Sequence, residues 1–154
     1  MTAQKLKKGF TLIELLVVIG ILAVLLAITL IAINPARQFA QANDTKRRSD
    51  VNAILNAVHQ YAVNNNGVLP ATIPGTATAI SNTLTGFCAG LVPTYIAALP
   101  SDPTAGTGTA ANGANVTNCA GTWGTGYTIL NSATDNRITV SAVGQITNPI
   151  SVTR

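Results

Sequence analysis

Hydrophobic and polar positions follow three regimes along the chain. Residues 10–33 are almost wholly apolar, with Glu14 the one ionisable side chain. At about 1.5 Å per helical residue this run spans roughly 35 Å, enough to cross a bilayer core. Residues 36–64 place Val51, Ile54, Leu55, Val58, Tyr61 and Ala62 at the three-and-four spacing that gathers them on one helical face, which calls for a sheet to cover. Further on, "YTIL" (127–130) and "RITVSAV" (137–143) read as strands, the second alternating Ile138, Val140 and Ala142 with polar residues. "SATDN" between them fits a hairpin connection, and "QITNPISV" adds an edge strand tolerant of Pro149.

Asn34-Pro35 separates the first two regimes. Proline lacks an amide donor and disfavours helical geometry in the residue before it, so the helix breaks or kinks there. An equally local reading makes Asn34 the N-cap and Pro35 the first residue of a second helix. "NNNG" (64–67) ends that helix, since asparagine and glycine tolerate the left-handed conformation of a C-cap. The rest is rich in Thr, Gly, Ala and Asn and broken by prolines. Residues 104–118 are too biased toward small polar side chains to build a core alone and read as a surface excursion. The organisation expected is a basic leader (1–9), an apolar membrane helix (10–33), an amphipathic helix (34–64) and a β-rich head (65–154), an α+β architecture.

Composition sharpens this. Residues are 47 % hydrophobic and only 9 % charged, and the formal charge is +4. Lys5, Lys7 and Lys8 supply much of that excess, so a chain lacking residues 1–9 would set Lys46 and five arginines against five acids. Lysines just before the apolar run keep the N-terminus cytoplasmic and send the C-terminus across the membrane. Cys88 and Cys119 then lie in an oxidising compartment, where the two pair without ambiguity, closing the base of the 104–118 excursion and adding roughly 3 to 4 kcal/mol.

Other chemistry is sparse. "DTKRRSD" (44–50) sets Asp44 four residues before Arg48, with Asp50 near Lys46 and Arg47, the spacing of weak surface ion pairs on a solvated or subunit-facing stripe. Lys46, Arg47 and Arg48 are also the candidates for contact with nucleic acid. His59 borders the apolar face and reads as a structural or surface residue. Asn115-Val116-Thr117 matches a glycosylation triplet, a match common by chance. One histidine, two bonded cysteines and five scattered acids leave no nucleophile with a base, phosphate loop or metal set, so neither an enzyme nor a cofactor is expected.

Glu14 is the anomaly, because a carboxylate in a membrane helix costs about 2.5 to 3.5 kcal/mol at the bilayer centre. Snorkelling to the headgroups is one resolution. Cleavage between Gly9 and Phe10 offers another: the new α-amine is a cation within reach of a neighbour's Glu14, and the pair fixes the register of one helix against the next.

"KKGFTLIELLVVIGILAVLLAI" (7–28) resembles the leader and helix of type IV pilins and type II secretion pseudopilins: basic leader, Gly9 before the cut, Phe10, Thr11, and an acid at the fifth mature position. The resemblance implies a type IV pilin-like fold, cleavage after Gly9 by a prepilin peptidase, N-methylation of Phe10, and engagement of a neighbour's amine by Glu14. It further implies identical subunits as partners in a helical filament, assembled on an inner-membrane platform by a motor ATPase. The subunit would sit in the cytoplasmic membrane first, then in an extracellular pilus or periplasmic pseudopilus. Many pilins place a helix-breaking proline earlier than Pro35, which displaces any local melting of the filament helix or centres it on Gly20. "VPTYIAALPSDP" (92–103) is similar to a turn-rich stretch of major pseudopilin heads, but Asp102 and Asp135 are a poor set for the calcium those heads often carry. A pilus subunit is favoured over a major pseudopilin by the disulfide, the Thr/Gly-rich excursion and the lack of an acidic cluster. A secreted or anchored binding protein with a conventional signal peptide is the third reading, opposed by Glu14.

Overall fold

A computed structural model describes residues 9–154. The expectation for leader residues 1–8, lysines included, lies outside the described residues. The chain divides into two compact units, one ending at Phe39 and the other running from Ala40 to Arg154.

In the first unit α1 spans Leu12–Ile33, continuous through Gly20, and none of its residues is buried. Its 22 residues correspond to about 33 Å, a membrane length. Asn34 interrupts the helix in the left-handed conformation (φ 47°, ψ 80°) that asparagine tolerates. The next helix, α2, runs Pro35–Asn64, and Asn34 also serves its start, its side-chain oxygen and carbonyl both accepting from the Arg37 amide at 3.4 and 3.1 Å. The compact units part five residues further on, inside α2 rather than at the proline.

In the second unit Val51, Ile54, Leu55, Ala57 and Val58 of α2 are buried in one core with the sheet. The sheet is antiparallel and built around β3 (Trp123–Asn131), the longest strand. One edge of β3 pairs with β1 (Thr78–Ser81); the other is shared by β2 (Thr107–Gly108) and β4 (Ile138–Ala142), and β5 (Ile150–Thr153) closes the order beyond β4. Both expected C-terminal strands form, β3 four residues longer toward its start than "YTIL", and Pro149 sits just before β5. Inward residues Tyr127, Ile129, Ile138, Val140 and Ile150 alternate with exposed or half-buried ones, as a sheet covered on one face requires.

The Thr/Gly-rich middle is more ordered than its composition indicates. It contributes β1, β2 and a short helix α3 (Phe87–Leu91) that buries Phe87, Cys88 and Leu91. The excursion is corrected on one point: Ala110 and Val116 within it are buried, Val116 by exchanging backbone hydrogen bonds with Leu99. Cys88 and Cys119 are disulfide-bonded, 5.5 Å apart at Cα, and the buried Trp123 donates its indole N–H to the Cys119 carbonyl at 3.2 Å.

Candidate functional site

The N-terminal end of α1 is a capping box. Thr11 is extended and its hydroxyl accepts from the Glu14 amide at 3.3 Å, satisfying one amide that the helix itself cannot. Glu14 folds back, and its Oε2 accepts from the Thr11 amide and the Thr11 hydroxyl, each at 2.8 Å. One carboxylate oxygen thus carries both intrachain bonds. The other, Oε1, makes no bond among the described residues. The acid also complements the positive end of the helix dipole.

Gly9 and Phe10 precede this cap in non-helical backbone, and the Phe10 side chain is 85 % exposed. A Cβ placed on Gly9 would meet nothing within 4 Å, so nothing in the described fold requires glycine at this position.

The most heavily bonded side chains lie elsewhere, in a cluster that corrects the reading of "DTKRRSD" as a surface stripe. Arg47 is 1 % exposed and Asp44 is 4 % exposed. Arg47 grips Asp102 side-on, Nε to Oδ2 at 2.6 Å and Nη2 to Oδ1 at 3.0 Å, and reaches Asp44 Oδ1 at 2.9 Å. Asp44 in turn accepts from the backbone amides of Gln145, Ile146 and Thr147 at 2.8 to 3.0 Å, and Asp102 accepts from those of Thr104 and Ala105. The cluster therefore fastens α2 to two loops. Gly126 lets one of them approach: at φ 80° it sits where the β1–β3 register shifts, and a Cβ there would come within 2.8 Å of the Asp102 side chain.

Burial alone would push both carboxyls up, but the bonds they accept outweigh it. Backbone amides and then Arg47 hold Asp44 far below the usual carboxylate range, while Arg47 and the Thr104 bonds lower Asp102. The Asp102 bond in turn pushes the Arg47 guanidinium up, against burial. The expected Asp44–Arg48 pair gives way to Arg48 donating to Thr147 Oγ1 at 3.1 Å. Lys46 does meet Asp50 at 2.6 Å and also bonds the Ser101 carbonyl; Asp50 further accepts from the Tyr127 hydroxyl, and burial with that bond raises the phenol above its ordinary value. With Arg47 buried and Lys46 engaged, only Arg48 of the three nucleic-acid candidates is exposed. His59 is half-buried, its Nε2 unpartnered.

The phase of α2 produces the cluster: positions 44, 47, 51, 54, 55 and 58 continue a single three-and-four stripe, so Arg47 falls in line with the buried Val51. Sequence reading took the spacing of those charges for surface ion pairs on a solvated or subunit-facing stripe. Asp102 carried no local signal, since its partner lies 55 residues away.

An apolar, membrane-length helix with an acid folded onto its N-cap, followed by an α+β head of one helix against a small antiparallel sheet, is a type IV pilin-like α+β fold. Residues 4–30 match the family model described as the prokaryotic N-terminal methylation motif, and the chain thus carries the prepilin signature shared by type IV pilins and pseudopilins. No curated protein and no solved structure matches the chain. The signature is that of prepilin peptidase-type substrates, and α1 has the length and composition of a membrane anchor.

Proposed function

We propose that the chain is the structural subunit of a type IV pilus, without catalytic activity of its own. Prepilin peptidase cuts after Gly9 and the Phe10 amine is methylated. The mature helix then leaves the membrane for a filament built on the inner-membrane platform by its motor ATPase. The observation that supports the assembly step is the use of a single Glu14 oxygen by Thr11: among the described residues Oε2 carries both bonds, which leaves Oε1 for the amine of a neighbouring copy once residues 1–9 are removed. Apolar residues exposed all round α1 supply the surface that such helices bury against each other.

A type II secretion pseudopilus would use the same N-terminus; the disulfide and the long uncharged excursion favour the pilus. The test is the mature N-terminus by mass spectrometry together with micrographs of sheared surface material. A chain beginning at methylated Phe10, found in long surface filaments, is expected. A start near Pro35 would refute the prepilin reading, and filaments confined to the periplasm would replace the pilus with a pseudopilus. Gly9→Trp, at a position where an added Cβ meets nothing within 4 Å, should leave uncleaved protein in the membrane.

A further inference from the structure

Among the described residues, two buried side-chain atoms have no hydrogen-bond partner: His59 Nε2 and Asn131 Oδ1. Buried polar atoms are otherwise paired almost without exception, because leaving one unmade costs its full desolvation. His59 stands in the last turns of α2 and Asn131 is the final residue of β3, yet both line one cavity of about 380 Å³. Ala62, Leu69 and Ile138 give that cavity apolar walls. A mainly apolar hollow with a few polar groups converging on it has the form of a small-molecule site.

The two atoms define what a ligand must offer. The Asn131 carboxamide oxygen only accepts, so it needs a donor. An imidazole nitrogen gives or takes a hydrogen bond according to its tautomer. A hydroxyl donates and accepts at once and serves both atoms, whereas an ionised carboxylate has no hydrogen to give Asn131. One water has the same bonding capacity, but its share of volume is about 30 Å³, and the cavity has room for a molecule of many heavy atoms.

His59 also lines a groove of about 470 Å³, together with Gln60, Asn64 and Tyr95. Tyr95 packs edge-on with Tyr61 at 5.4 Å between ring centres and accepts from Asn64 Nδ2 at 3.4 Å, so its ring is fixed on two sides. Arg154 donates to Asn56 Oδ1 at 2.6 Å in the same lining. An aromatic ring, side-chain amides and a guanidinium supply an apolar face and planar hydrogen-bonding groups. A sugar presents the counterpart, a face of C–H bonds and a rim of hydroxyls.

We propose that His59 and Asn131 bind the hydroxyls of a neutral saccharide, one unit in the cavity and the next in the groove beside it. This binding does not depend on the filament reading. The test is saturation-transfer NMR on the full chain, solubilised in a detergent without a sugar head group, with glucose, galactose, mannose and N-acetylglucosamine as probes. At least one of these should bind, and Asn131→Leu and His59→Phe should each weaken it about tenfold or more, as expected where a site built to bond a hydroxyl loses its partner. Both variants should keep the native thermal melt or raise it, since neither removes a bond made within the chain. Binding of none of the four sugars would overturn the proposal, and so would binding at native strength in both variants. A lowered melt in Asn131→Leu, with no sugar bound by the native chain, would assign Oδ1 to a structural water instead.

Discussion

Replacing Arg47 with methionine removes the cation that Asp44 and Asp102 share while keeping much of the side-chain volume. Breaking a buried pair from one side costs about 3 to 5 kcal/mol, because an uncompensated charge stays behind. The lower end applies here. Asp44 keeps three backbone amides and Asp102 keeps its Thr104 and Ala105 bonds, so neither carboxylate is stranded. Trp123, the chain's one tryptophan and buried in the core, reports urea unfolding of the detergent-solubilised protein. With a slope of about 1 to 3 kcal/mol per molar urea, a loss near 3 kcal/mol lowers the midpoint by roughly 1 to 3 M. A loss under about 1 kcal/mol would refute the reasoning, since that is the worth of a surface pair. The acid limb gives a second check. In the native protein both carboxyls titrate below their unfolded value of about 3.9, so their contribution is complete above that pH and is lost as the pH falls below it. In Arg47→Met, burial of Asp102 loses its main counterweight and its carboxyl rises. The variant then loses less stability on acidification than the native protein does, while Asp44, still held by its three amides, goes on losing its own share. The two stability curves should converge as the pH drops; parallel curves would mean the guanidinium does not hold Asp102.

Glu14→Val should leave cleavage and methylation intact, read from the mass of the mature chain, but reduce filaments; abundant filaments from that variant would rule out pairing with the neighbouring amine. Cys88→Ser with Cys119→Ser should cost about 3 to 4 kcal/mol in urea unfolding, with dithiothreitol producing the same loss in the native protein and none in the variant. Tyr127→Phe should cost about 1.5 to 3 kcal/mol by removing the hydroxyl bonded to Asp50. Because the folded phenol titrates above its unfolded value of about 10, its contribution is complete below that pH and is lost above it, so the alkaline loss should be smaller in Tyr127→Phe.

What the sequence disclosed depended on the range over which each signal acts. The apolar run of α1 and the stripe on α2 are local patterns many residues long, and both were legible. β4 alternates cleanly over five residues and was legible for the same reason. β1 has four residues and β2 two, and each is held by pairing with β3 rather than by its own pattern. The start of β3 is masked by Gly124 and Gly126, residues that weaken a strand pattern even where the chain is paired. At the N-terminus the spacing of Gly9, Phe10 and Glu14 was plain, whereas the use of one Glu14 oxygen by Thr11 required coordinates. The buried ion cluster was missed although its clue was present: Arg47 lies four residues before Val51, in phase with the core.

The Asp44 bonds to residues 145–147 span 101 to 103 positions along the chain. A polypeptide emerging N-terminus first presents Asp44 early, and its amide partners only after another hundred residues have followed. Arg47 and Asp102 can meet sooner, but the fold cannot close around Asp44 until that distant loop has emerged. Emergence of the chain and completion of its fold are thereby placed in a fixed order, and a chain caught halfway out holds the Asp44 carboxylate without its three amide partners.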